Sequence, residues 1–248
     1  MSERFKPIPI YVRIARTYAK WAPSLLLLAV VVFVPVGLVH AITVHADIGS
    51  LDLEGGLEIF AVVAALAALT VTGLFGEVFY TGAVAIFLTH PRDGRPPSLA
   101  QIAGMVDYRR LIAIDLVYGL LVAIGLVLLV VPGVAAFVWL GLAAPVVEIE
   151  HRGVRAGFAR SVRLVRGRFW IVLMVLVPIE IVGDAITGLA IGLAHDLLGE
   201  SLVSAWLADV LSNIAFTPFY AVAAVLLTVG LIGEKDGGGA ELHSEPPR

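Results

Sequence analysis

Leu126-Val127-Leu128-Leu129-Val130-Val131-Pro132-Gly133-Val134-Ala135-Ala136-Phe137-Val138 carries no charged side chain and has a Pro-Gly pair at its middle. Whether this stretch lies inside one long crossing or forms the turn between two decides the topology. A membrane-crossing helix needs about 20 mostly apolar residues. Such runs flank the pair, from Leu111 to Val131 before it and, shorter, from Val134 to Ile149 after it. Charge decides between the readings, because Lys and Arg accumulate in cytoplasmic loops and are missing from short translocated ones. A single crossing would put Arg152, Arg155, Arg160, Arg163, Arg166 and Arg168 outside, on the side opposite the basic residues of the amino-terminal segment and the second loop. A hairpin turning at Pro132-Gly133 keeps all of them together.

The rest of the chain has the same character. Its 248 residues are 59% hydrophobic and 15% charged, with mean hydropathy +0.96, too apolar to surround themselves with a water-compatible surface. Further spans are expected from Trp21 to Ile42, Leu57 to Thr89, Phe169 to Leu193 and Leu207 to Ile232. The run from Leu57 to Thr89 is roughly 50 Å long as a straight helix, so it must tilt, project or break, with Gly73 and Gly76 as the weak points. The 17 Lys and Arg residues fall in the amino-terminal segment, between the second and third spans, between the fourth and fifth, and in the tail. None lies in Ala41 to Gly56, at Pro132, or in Ala194 to Trp206.

The expected fold is therefore all-α and polytopic: six spans in three hairpins within 21–232, both termini in the cytoplasm, in a bacterial inner membrane. The first apolar run reads as a retained signal anchor, although Val44-His45-Ala46 is a passable cleavage site. The tail, 233–248, is Gly-rich and polar and is expected to be disordered.

Each hairpin is preceded by a short basic segment of helical period, expected to lie in the interface. In 1–20, Tyr11, Ile14, Tyr18 and Trp21 share one face, with Arg13, Arg16 and Lys20 opposite. Ser98 fits as the N-cap of a second helix reaching Arg110. In the third segment, 152–168, Val154, Phe158, Val162, Val165 and Phe169 form an apolar stripe beside Arg152, Arg155, Arg163 and Arg166. These arginines, with Trp170, are candidate contacts for anionic lipid or a protein partner, each cation near a negative leaflet contributing on the order of 1 kcal/mol. They equally serve as plain topology anchors.

Ionisable groups inside a bilayer are functional candidates by default. Glu77 falls in the second span, and Glu180 and Asp184, four residues apart, in the fifth. Asp209, Asn213, Thr217 and Tyr220 share a face of the sixth, so the last hairpin can bury a polar seam. Asp115 is placed to meet Glu77 or Arg109. These groups either form a proton or cation path or glue helices together. With no cysteine, no zinc spacing, no phosphate loop and no nucleophile elbow, neither a metal nor a cofactor is expected, and no nucleic-acid partner.

From Val131 to Trp170 the chain reads Val-Pro-Gly-Val, then Ala-Pro-Val-Val-Glu-Ile-Glu, then Ala-Arg-Ser-Val-Arg-Leu-Val-Arg-Gly-Arg-Phe-Trp. This resembles the membrane domain found beside some bacterial glycerophosphodiester phosphodiesterases and its stand-alone relatives. Pro132, Gly133, Pro145, Glu150, Ser161, Leu164, Gly167, Arg168 and Trp170 occupy that family's motif positions, and Arg92 to Leu99 resembles its inter-hairpin loop. The resemblance implies a polytopic helical fold. It does not bring the phosphodiesterase activity, because His151-Arg152-Gly153 is followed by none of the catalytic barrel's metal-binding acids. The motif makes physical sense as an elbow in which Gly167 permits the turn, Trp170 sits at the headgroups and Glu150 holds an arginine.

Three functions follow from the sequence. A non-enzymatic accessory or scaffold protein bound to membrane lipid or a partner stands first, a small transporter or channel using the buried acids second, and a membrane-embedded lipid-modifying enzyme third. A concavity lined by Glu77, Glu180 and Asp184 would favour transport, and a tight bundle with those groups paired would favour the scaffold. Oligomeric state is not legible.

Overall fold

The computed structural model describes residues 7–45, 71, 74, 76–91 and 96–236. Among them it contains nine helices and no strand. They are α1 (Pro7–His45), α2 (Glu77–Thr89), α3 (Leu99–Met105), α4 (Tyr108–Leu128), α5 (Val130–Leu140), α6 (Ala143–Glu150), α7 (Val154–Val165), α8 (Phe169–Leu198) and α9 (Leu202–Asp236). Five helical stretches are long and apolar enough to cross a membrane: α1, α4, α5 with α6, α8 and α9. Of the expected span Leu57 to Thr89, α2 is described, whereas 57–70 and Gly73 lie outside the described residues.

α1 departs from the expected interfacial segment followed by a span. It is one helix of 39 residues, about 58 Å long. The face expected to lie in lipid packs on protein: Ile14 is fully buried, Tyr18 meets Phe219 edge-on, and Trp21 meets Phe87. The Tyr11 hydroxyl donates to the Met174 carbonyl at 2.7 Å. Partners on α2, α8 and α9 take up the aromatic stripe, so no break is needed to leave it in the interface. Arg13, Arg16 and Lys20 remain on the exposed side.

The second basic segment is also built differently. Ser98 caps α3 through a capping box with Gln101, its hydroxyl accepting from the Gln101 N–H and its own N–H donating to the Gln101 side chain at 2.8 Å. The helix does not reach Arg110. It stops at Val106, and the Asp107 side chain accepts from the Arg110 N–H at 3.2 Å to start α4, which runs on through the span.

The turn between α4 and α5 lies three residues before Pro132. Leu129 is extended, and Pro132 sits in the first turn of α5, where its missing N–H leaves no helical bond unmade. Gly125 and Gly133 let the two helices meet backbone to backbone: a Cβ on Gly125 would lie 2.7 Å from the Gly133 Cα. The following span is interrupted at Gly141 and Leu142 between α5 and α6.

α9 is the central rod. From Ala221 to Leu227 every residue is at most 2% exposed, the small side chains letting neighbours approach closely. α1 runs antiparallel to it, Tyr18 opposite Phe219 and Gly37 against Val210. α2 runs antiparallel to α1 and α4, with Tyr80 donating to the Leu25 carbonyl and Gly82 against Leu111. The bundle thus has a basic end, carrying the arginines of α7, and a far end. The basic half is densely packed, and the far half is not. The expected disordered tail is corrected in one place: residues 233–236 are the last turn of α9, held there by contacts with the elbow, and 237–248 lie outside the described residues.

Candidate functional site

The site begins at a helix start buried within the bundle. Gly76 has φ +93°, a left-handed conformation that suits a residue without Cβ, and there the helical path into α2 is broken. The exposed N–H groups are not capped by their own chain segment. Asp115, on α4 and 2% exposed, accepts from Gly76 N–H at 2.7 Å and Phe79 N–H at 3.3 Å. Asp115 therefore caps α2 from the neighbouring helix, contacting neither the Glu77 carboxyl nor Arg109 by hydrogen bond.

That cap sets the direction of Glu77, the first residue of α2. Glu77 is 8% exposed, and its carboxyl has no hydrogen-bond or ion-pair partner among the described residues. It faces a cavity of about 630 Å³ enclosed by α1, α2, α4, α5, α8 and α9. Glu180, Asp184, Asp209 and Asn213 line the same cavity, with His40. So the five polar residues singled out from sequence as buried converge on one space, Glu77 and Asp209 buried, Glu180 and Asn213 partly so, and Asp184 exposed at its edge. Among the described residues no Lys or Arg lines it. Counted along their helices, Glu77 lies about 18 Å from the basic end of α2 and Glu180 about 17 Å from that of α8, mid-depth in a 30 Å hydrocarbon layer.

On α9 the polar face is a ladder. Asn213 donates to the Asp209 carbonyl at 3.0 Å, and Thr217 donates to the Asn213 side-chain oxygen at 3.1 Å. His40 Nε2 stands 3.9 Å from Asp209 at the far-end side. The other walls are apolar, from Val122, Phe137, Val177 and Phe216. Toward the basic end the floor is a stack of rings, Tyr118 on Phe137 on Tyr220, with centroids 6.3 and 6.0 Å apart. Fully buried Leu142 and Leu176 lie among the residues packed beyond. The cavity is thus blind at that end.

The basic elbow is a second constellation. Glu150, at the end of α6, accepts from Arg160 Nη2 at 2.8 Å and from Arg152. Arg160, 9% exposed, also pairs with Asp236. Arg168 pairs with Glu234, and the Lys235 ammonium donates to the carbonyls of Arg163 and, at 2.9 Å, Arg166, closing the end of α7. Three consecutive residues at the end of α9 thereby fasten the elbow. Hydrogen bonds that the Arg160 guanidinium donates to Glu150 and then to Asp236 hold it above its ordinary pKa.

α7 does not lay its apolar stripe in lipid. Its buried face is Gly157, Ser161, Leu164 and Val165, with Ser161 donating to the Trp139 carbonyl at 2.8 Å, while Val154, Phe158 and Phe169 pack on the core. Pro145 is buried in α6, and Gly167 turns the chain at φ +85°. Arg155, Arg163 and Arg166 are exposed, and their side chains have no ion-pair partner among the described residues. Trp170 is 69% exposed.

Sequence reasoning passed over Arg160, because it fell on neither stripe of the helical wheel. Its signal was position: a cation four residues before Leu164 and three after Gly157, on the small-residue face. It also passed over Glu148, 4% exposed with one carboxyl oxygen unpartnered, and the His90–His151 ring pair at 5.7 Å. Burial and then the His151 ring hold His90 below the ordinary histidine pKa. Among the described residues no group of three or more His, Asp or Glu side chains could hold a metal ion. Comparison with family models, with curated proteins and with solved structures returns no match.

Proposed function

We propose that this chain is a membrane protein of the transporter class that binds a positively charged small solute in its intramembrane cavity. The observation that carries the reading is the lining: Glu77, Glu180, Asp184 and Asp209 without a Lys or Arg among the described residues, and a buried Glu77 whose carboxyl has no hydrogen-bond or ion-pair partner among them. A carboxylate at hydrocarbon depth requires a counter-charge, and among the described residues His40 beside Asp209 is the one cationic candidate lining the cavity, leaving Glu77, Glu180 and Asp184 without an ion pair. A cavity of about 630 Å³ is of small-molecule size, larger than a bare ion needs. Acids serving only as glue between helices would be paired across the interface.

The reading includes six spans, both termini in the cytoplasm and the far end facing outward in a bacterial inner membrane. The clustering of basic residues at one end supports it. Reporter fusions after Pro132 and after Glu200 should both report from outside.

The first test is binding of ethidium, a monovalent organic cation, by fluorescence polarisation with the purified protein in lipid nanodiscs. Glu180→Gln and Glu77→Gln should each weaken it about tenfold or more, the scale of losing one buried charge partner, with thermal midpoints unchanged. Unchanged affinity in both folded variants would remove the reading.

A second reading, docking of anionic lipid or a protein partner, draws on exposed Arg155, Arg163 and Arg166. The likeness to the membrane domain beside glycerophosphodiester phosphodiesterases supports a fold analogy and carries no activity with it.

A further inference from the structure

Among the described residues the cavity opens beside α8, and its rim there is made of the wrong material for a water route. Between α1 and α9 the wall is closed: Gly37 sits against Val210, and Trp206 Nε1 donates to the Val34 carbonyl at 3.0 Å. Between α8 and α9 it is closed as well, since a Cβ on Gly183 would meet the Phe216 ring at 2.4 Å. Among the described residues a gap lies between α8 and the tip of the α4–α5 hairpin. Val130 and Ile181 line the cavity there and are also surface residues, 67% and 62% exposed. The outer surface on both sides is apolar, with Val131 at 78%, Val182 at 52% and Leu189 at 76% exposed. Asp184, itself exposed, is the acid nearest that surface, and Glu77 stands at the back, buried, its carboxyl without a partner among the described residues.

We propose that the solute is a single-headed cationic amphiphile taken from the lipid phase through the gap between α8 and the hairpin tip. An apolar rim around an acidic interior suits a molecule with the same polarity split. Its ammonium head passes Asp184 to reach Glu180 and Glu77, while its alkyl tail stays between Val130 and Ile181, in contact with hydrocarbon. A compact hydrophilic cation has no such match at the rim. The lateral gap also spares the head a route through bulk hydrocarbon, because Asp184 meets it at the surface of the bundle.

This inference rests on the cation-binding reading, so its test must fail separately. In nanodiscs, decyltrimethylammonium and tetramethylammonium compete with ethidium, each variant being calibrated on its own ethidium affinity. Ile181→Trp and Val130→Trp fill the rim at exposed positions where a larger side chain should not disturb folding. Comparing variant with parent cancels partition of the decyl chain into lipid. The expected result is about a tenfold weakening of decyltrimethylammonium with tetramethylammonium changed by less than about twofold, a tenfold change being about 1.4 kcal/mol. If both rim variants weaken the two competitors equally, or neither, while Glu180→Gln still abolishes ethidium binding, the lateral route is overturned and the cation site stands. If ethidium binding ignores Glu180→Gln and Glu77→Gln, the site and the route fall together.

Discussion

Replacing Arg160 by Ala tests how the elbow is held. The guanidinium donates from Nε to both Glu150 carboxyl oxygens at 3.0 and 3.1 Å and from Nη2 at 2.8 Å, and it also pairs with Asp236. Its side chain is 11% exposed and that of Glu150 14%, so the pair is poorly screened. Stripping one partner from a buried ion pair costs about 3–5 kcal/mol. Here Glu150 keeps Arg152, and Asp236 is half in water, so the loss should fall at the low end, about 3 kcal/mol. At roughly 2–4 °C per kcal/mol for a chain of this size, the thermal midpoint in detergent should drop by about 6–12 °C. Glu150→Ala should behave alike. Arg155→Ala, an exposed arginine one turn away, should stay within about 0.5 kcal/mol. Combining Arg160→Met with Glu150→Leu should recover much of either single loss, because replacing both charges strands neither. Equal effects for Arg160→Ala and Arg155→Ala, or additive losses in the double variant, would refute the argument.

Asp115→Ala removes the acceptor for two N–H groups at the start of α2 and should destabilise by about 1–2 kcal/mol in thermal unfolding, whereas Asp115→Asn, which keeps an acceptor oxygen, should lose less. His90 titrates lower in the fold than in the unfolded chain, which binds its proton near about pH 6.5. Its contribution is therefore intact above that pH and lost as pH falls toward the folded value, so His90→Gln should flatten the midpoint's decline on acidification; an unchanged slope would discount the His90–His151 contact. Pro218→Ala returns the N–H that the ring removes from α9 and should leave the midpoint equal or higher while weakening ethidium binding; a lower midpoint with unchanged binding would mean that the break has no part in shaping the cavity.

The helical, membrane-spanning character was legible because hydrocarbon imposes one simple rule on length and polarity, which local composition expresses directly. The candidate acids were legible for the same reason, since a charge in an apolar run stands out without knowledge of any contact. What was not legible is what each polar group touches. Asp115 was readable as a buried acid, yet its role as a cap for another helix depends on Gly76 adopting a left-handed turn next to it. The wheel of α1 correctly grouped Tyr11, Ile14, Tyr18 and Trp21, but a period cannot distinguish lipid from protein as the medium that receives an apolar face. Glu234-Lys235-Asp236 read as the start of a polar tail. It is the fastening of the elbow, and only the approach of α7 reveals this.

The prolines inside the spans acquire a meaning that the sequence alone did not supply. Pro35 in α1, Pro178 in α8 and Pro218 in α9 each leave one helical carbonyl without its usual N–H donor. Pro178 and Pro218 stand where the packed half of the bundle gives way to the cavity, Pro178 two residues before Glu180 and Pro218 following Thr217 in the cavity wall, whereas Pro35 lies farther toward the far end, next to the contact of Gly37 with Val210. A helix weakened at one level can diverge beyond it while staying tightly packed before it. Two neighbouring helices, α8 and α9, weakened at a similar level can open together on one side of that level only. The floor of rings and the open acidic half are then two consequences of a single placement, and Glu77, Glu180 and Asp184 sit on the side where opening leaves them without ion-pair partners among the described residues.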